Sequence, residues 1–150
     1  MKKAISGILA FSLILVLSAC GGKKEAFSPA KDAARLRDTQ GVFATGLTQI
    51  DQAAACALYG IDESTVTASA VFGSTSSAEE LAIFTFSSQE EAQAAQPLLQ
   101  YRVEDRTEEL RDYLPDELPK LEKAIIEVRE DSVLLVVASD YGPVEDFLKG

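Results

Sequence analysis

Two cysteines and no histidine limit the chemistry open to this 150-residue chain. Without imidazole the commonest general base and the commonest metal ligand are both missing. Cys56, in Ala54-Ala55-Cys56-Ala57, has no neighbouring base or second thiol to lower its pKa. It reads as a small buried hydrophobe, with redox or intermolecular pairing as the reactive alternative. Carboxylates pair at Glu79-Glu80, Glu90-Glu91, Asp116-Glu117 and Glu130-Asp131. A calcium loop would need alternating acids with a glycine at the turn, so the pairs read as solvated faces, with weak surface calcium binding as the alternative. No metal site and no catalytic residue is assigned. Serine catalysis lacks a histidine base and a G-x-S-x-G turn. The densest mixed patch is Tyr101-Arg102-Val103-Glu104-Asp105-Arg106. On a helix Arg102 shares a face with Asp105 and Arg106, which suits exposed ion pairs worth a few tenths of a kcal/mol. The functional alternative is an anion or peptide contact using Tyr101, Arg102, Asp105, Arg106 and Tyr113.

Cys20 is the residue with an assignable reaction. Lys2 and Lys3 precede an apolar run from Ile8 to Leu17, and small residues lead into the cysteine. Leu17-Ser18-Ala19-Cys20 has the pattern of a bacterial lipobox: the thiol takes up a diacylglyceryl group, the chain is cut between Ala19 and Cys20, and an N-acyl chain can follow. Two or three acyl chains, at about 0.8 kcal/mol per buried CH₂, hold a protein at a bilayer where one would not. The alternatives are an uncleaved anchor, for which the run is short of the roughly 20 apolar residues of a comfortable span, and a plain secreted product. The expected organisation is a signal peptide at 1–19, a lipidated tether at 20–30, and one globular domain at 31–150. Gly21, Gly22 and Pro29 suit a tether. With Cys20 consumed, Cys56 has no disulfide partner within the chain.

Composition narrows the partners. The net charge is −10, and a leader carrying only Lys2 and Lys3 leaves the mature chain two units more negative. Nucleic-acid binding needs the opposite sign, and anionic lipid would repel rather than adsorb the body. The remaining partners are the membrane through the lipid, and an envelope protein or small ligand through the domain. No cofactor is expected beyond the acyl groups.

Periodicity supplies the elements that must position these residues. A short helix is expected at 30–39, and a second at 47–59 with Leu47, Ile50, Ala54 and Leu58 on one face. Gly60 fits a left-handed cap that folds Ile61 back over Cys56. Val66, Ala68, Ala70 and Phe72 alternate with Thr67, Ser69 and Val71 as a half-buried strand. Its hairpin partner is Leu81 to Phe86, after a single helical turn at Ser77-Ala78-Glu79-Glu80. Ser88-Gln89-Glu90-Glu91 caps the longest helix, to about Tyr113, with a core stripe of Ala92, Ala95, Leu99, Val103 and Leu110. Pro97 should kink it or restart it. Pro115 and Pro119 predict irregular chain through Lys120. Ala124–Val128 and Val133–Val137 form a second hairpin about Glu130-Asp131, the latter strand central because it is apolar on both faces. Pro143 opens a closing helix with Val144, Phe147 and Leu148. The fold class is α+β: a mainly antiparallel sheet of about four strands, a long helix packed on it, helices before it and a short helix after it.

Several segments in order resemble a bacterial lipoprotein family known as domain of unknown function 4358. They are Leu58-Tyr59-Gly60-Ile61-Asp62, Ser77-Ala78-Glu79-Glu80-Leu81-Ala82-Ile83-Phe84, Arg102-Val103-Glu104-Asp105, Asp112-Tyr113-Leu114-Pro115 and Pro119-Lys120-Leu121-Glu122. The resemblance covers roughly 45–140; Pro97 departs from it, and it implies no reaction, ligand or catalytic residue. The expected role is a non-enzymatic binding or interaction module, lipid-anchored on the extracytoplasmic face of the cell membrane. The alternatives are an enzyme of unrecognised type using carboxylate or serine chemistry, and a small accessory ligand-binding lipoprotein.

Overall fold

A computed structural model describes residues 22–150. The leader and Cys20 therefore lie outside the described residues. The chain docks early: Phe27 is buried, and its N–H donates to Ser132 Oγ at 2.7 Å. The first helix, α1 (Pro29–Asp38), follows at once and buries Ala33 and Leu36.

The fold is α+β, with five strands in one antiparallel sheet: β1 (Thr48–Ile50), β2 (Val66–Gly73), β3 (Glu80–Phe86), β4 (Ile125–Arg129) and β5 (Ser132–Val137). Their order is β1-β2-β3-β5-β4. The two expected hairpins are present, and β3 pairs with β5 to join them. The additional strand is β1, in a stretch where the spacing predicts helix. Asp51 is the reason: its carboxylate accepts from Ala54 N–H at 3.1 Å and starts α2 (Gln52–Tyr59) only there. The buried face of α2 is Ala55, Cys56 and Tyr59, whereas Leu58 is exposed. At its end Gly60 has φ +66°, and Ile61 N–H donates to Cys56 O at 2.9 Å, the expected left-handed cap.

The sheet separates two cores. One face packs under α2 and α3 (Gln89–Arg111), with Ala82, Phe84, Phe86, Val133, Leu135 and Val137 turned toward it. The other face carries Leu81, Ile83, Leu134 and Val136, covered by α1 and by α5 (Gly142–Lys149) through Leu36, Val144 and Leu148. Residues Val133 to Val137 of β5 point alternately into both cores, so this stretch is apolar throughout. In β2 the register shifts between Val66 and Ala68. The extra residue places Val66 and Val71 on the same face, which strict alternation would put on opposite ones.

Ser88 caps α3 by accepting from Glu91 N–H at 3.2 Å, and the buried stripe is Ala92, Ala95, Leu99, Val103 and Leu110, as the spacing requires. Pro97 does not restart the helix, which is one element through it; the residue is exposed, as is Gln93, whose carbonyl loses its partner to the ring. The stretch after α3 is a 3₁₀ turn followed by α4 (Leu118–Glu122), so Pro115 and Pro119 open short helices where irregular chain is expected. Residues 74–79 contain no helical turn. Ser77 Oγ accepts from Glu79 N–H at 3.1 Å, a bond closed within the bend itself.

Leu99 is fully buried between α3 and the sheet. Leu99→Ala should cost about 2–5 kcal/mol in urea denaturation; a loss below about 1 kcal/mol would mean that α3 is not seated as described.

Candidate functional site

The sequence reads Glu79-Glu80 as a solvated pair. Both are buried, Glu79 at 1 % and Glu80 at 4 % relative exposure; Glu80 opens the central strand β3 and Glu79 immediately precedes it in extended chain. Successive side chains of a strand point to opposite faces, so the two carboxylates enter different layers. A buried charge is tolerated only where its oxygens are matched, and each has its own set of donors.

Glu79 gathers the loops at the end of the sheet. It accepts from Ala44 N–H at 2.7 Å, Thr45 N–H at 2.8 Å, and the hydroxyls of Thr45 and Ser139, with Lys120 Nζ at 3.6 Å. Burial alone would raise its pKa, but these hydrogen bonds, led by Ser139 and Thr45, bring it from 4.5 down to about 2. Beside it, Glu117 accepts from Ala78 N–H at 2.9 Å and from Lys120, tying α4 to the same loop.

Glu80 turns toward α2 and α3. Arg102 grips it with two parallel bonds, Nε at 3.0 Å and Nη2 at 2.8 Å, and the Tyr59 hydroxyl donates to Oε1. Burial, then the Glu80 charge, push the Tyr59 phenol well above its ordinary pKa, so it stays protonated as a donor. Burial by itself would lower the Arg102 pKa, but the bonds and charge of Glu80 raise it overall. The ring of Tyr59 stacks edge-on against Phe84 at 5.3 Å and lies 5.8 Å from the Arg102 guanidinium. One turn on, Arg106 donates to Ser74 O at 3.2 Å and Ser77 O at 3.1 Å, and pairs with Glu109 at 3.0 Å.

Arg102 and Arg106 together line a cleft of about 410 Å³ that is walled by Thr48, Ile50, Gly73, Ser74, Thr75 and Glu80. Of the five residues singled out in the sequence, the structure brings these two to one cleft. Tyr101 and Tyr113 are 59 % and 76 % exposed, Asp105 is exposed, and none of the three forms its wall. The expected pairing of Arg102 with Asp105 gives way to Glu80, because the helix face that carries Leu99 and Val103 also turns Arg102 toward β3. Sequence reasoning missed Tyr59, Glu79 and Glu80. The available signal for Glu80 and Tyr59 was Arg102: it sits three residues after Leu99 and seven after Ala95, on the core side of the helix, where a cation needs a buried partner. Cys56 is buried, and desolvation, then Glu63 and Asp62, raise its thiol pKa, which suits packing rather than nucleophilic attack. Among the described residues no three acidic or cysteine side chains converge as a metal site.

The chain belongs to the family described as Domain of unknown function (DUF4358), whose model matches residues 42–138. No curated protein and no solved structure matches it. The matched segment holds the whole sheet, α2 to α4, both buried carboxylates and the cleft. Its ends lie together: the N–H of Ser139, the residue just after the match, donates to Val42 O at 2.8 Å. Helices α1 and α5, which cover the second face, lie outside the match.

Glu79 makes stability depend on acid in a stated direction. Its folded pKa of about 2 lies below the ordinary 4.5, so its contribution is complete above pH 4.5 and is lost as pH falls through 2. That loss should amount to roughly 3 kcal/mol. Chemical denaturation between pH 5 and pH 2 should show a shallower slope for Glu79→Gln, which is also less stable at pH 7; parallel curves would mean that the carboxylate is not held as described.

Proposed function

We propose that this family member is a lipid-anchored extracytoplasmic lipoprotein whose domain is a non-enzymatic binding module, with the Arg102–Arg106 cleft as its contact site. The observation that carries the anchor is Leu17-Ser18-Ala19-Cys20 after a charged and apolar leader. Packing that begins at Phe27 makes this a short leash: from Cys20 an extended chain reaches at most about 25 Å, so the domain stays beside the bilayer.

Charge sets which side faces the lipid. The anchored segment joins the α1/α5 layer, where residues 22–43 and 139–150 carry six acids and six bases. Residues 88–123, which include α3 and α4 on the opposite side, carry ten acids and five bases. Anionic head groups repel the acidic side and tolerate the neutral one, so the cleft beside α3 opens away from the membrane. Among the described residues no helix is long and apolar enough to cross a bilayer.

Binding is favoured over catalysis by the state of the acids. Glu79 and Glu80 accept from donors that fix them in place, and Glu79 is held far below the pKa of a useful general base. The arrangement is built to hold a shape and present guanidinium groups.

The anchor is tested by metabolic labelling with palmitate followed by membrane fractionation. Cys20→Ala should abolish the label and either release the protein or leave it with its leader attached; labelling equal to that of the parent chain would refute the anchor.

A further inference from the structure

We infer that the cleft between α3 and the β1–β2 edge binds a carboxylate carried on a small apolar body, with Arg102 and Arg106 receiving the charge. This rests on reading the cleft as a binding site and specifies what enters it. The volume, about 410 Å³, lies within the range of small-ligand sites and suits a few residues of peptide or a modest organic acid.

The donors are the first reason. Arg102 uses Nε and Nη2 on Glu80, which leaves Nη1 without a partner among the described residues. No side-chain nitrogen or oxygen that is fully buried lacks a partner there, so Nη1 reaches solvent while the rest of the group is clamped. Arg106, one turn along the same helix face, is held by two backbone carbonyls and Glu109. Both side chains are mostly covered, at 12 % and 17 % exposure. Their geometry is set before any ligand arrives, which lowers the ordering cost of binding. With the Arg102 fork spent on Glu80 and Arg106 Nη2 on two carbonyls, each guanidinium has one nitrogen without a partner among the described residues, Arg102 Nη1 and Arg106 Nε. That is enough for one charge-assisted bond to each oxygen of a carboxylate.

Charge balance selects a single anion over a multiply charged one. Two arginines and Glu80 line the cleft, while Glu109, which pairs with Arg106, is largely exposed to solvent and lies outside the wall. The wall itself therefore carries an excess of one positive charge inside a chain whose net charge is −10. A phosphate dianion would leave charge unbalanced and meet the repulsion of the whole body; a carboxylate balances it. The remaining walls come from Ile50, the bare Gly73 backbone and threonine side chains, and they favour an apolar substituent. Two sources carry this chemistry: the free C-terminus of a peptide and a free aliphatic acid.

Titration of the full-length lipidated chain in maltoside micelles, following the Ile50 δ1 methyl signal by NMR, separates them. The probes are N-acetyl-alanyl-leucine, its C-terminal amide, and hexanoate. The acid peptide should shift Ile50 saturably, and the amide should bind at least tenfold more weakly. Hexanoate binding as tightly as the peptide would assign the free acid as the source, and much weaker binding would assign the peptide terminus. Thr48 is exposed at the cleft wall, so Thr48→Glu should weaken the acid peptide at least tenfold and Thr48→Lys should strengthen it severalfold, with unchanged far-UV circular dichroism. Arg106→Gln should also lose at least tenfold, but it touches the 74–77 loop, and the Thr48 pair is the safer measure. Equal binding of acid and amide, or no response to the Thr48 charge, overturns the carboxylate assignment while the binding reading stands. No saturable shift by any probe at millimolar concentration overturns both.

Discussion

Two adjacent carboxylates must be buried where the central strand begins, and each must find its donors on a different side of the sheet. Glu79 and Glu80 occupy that position. An unmatched buried carboxylate would cost several kcal/mol, so the surrounding chain is obliged to deliver hydrogen-bond donors to fixed points. On one side the 44–45 backbone, Ser139 and Lys120 converge on Glu79. On the other, α2 brings Tyr59 and α3 brings Arg102 to Glu80. Apolar burial supplies most of the driving force for folding, yet it is non-directional. The carboxylates add registry: they specify which turn of α3 stands above β3 and which loop closes the end of β5.

The same registry makes the cleft. With Arg102 clamped by Glu80 and Arg106 holding the carbonyls of the 74–77 loop, the guanidinium groups form one side of a gap whose other side is β1. The family match, residues 42–138, contains every residue that lines the cleft. The layer outside it, α1 and α5, does different work. It covers the second face of the sheet, takes up Phe27, which stacks on Phe147 at 6.4 Å, and provides the face with balanced charge. One sheet thus separates a layer of balanced charge from the layer that holds the cleft.

Elements governed by local periodicity and capping were legible in the sequence. The α3 stripe, the Ser88 cap, the Gly60 reversal and the doubly apolar β5 all follow from residues close together in the chain. What was hidden depends on partners far apart. Thr48–Ile50 has helical spacing with its successors, but pairing with Val71–Gly73 makes it a strand. The β2 bulge is invisible to strict alternation because it is set by the register with β3. Glu79-Glu80 resembles any surface acid pair until residues 21 to 60 positions away supply donors to both. Of the five candidate site residues, Arg102 and Arg106 reach the cleft because the core stripe turns them inward, whereas Tyr101 and Asp105 lie on the part of α3 that the stripe leaves in water and Tyr113 is exposed in the turn after the helix.

The dependence of α3 on Glu80 is measured most directly by a double-mutant cycle between Glu80→Met and Arg102→Met, followed by urea denaturation at pH 7. Each single change strands a buried charge and should cost about 3–5 kcal/mol, while the double change removes both charges and should be more stable than either single variant. Additive losses, with coupling below about 0.5 kcal/mol, would show that the two side chains do not share a buried site and would contradict the account.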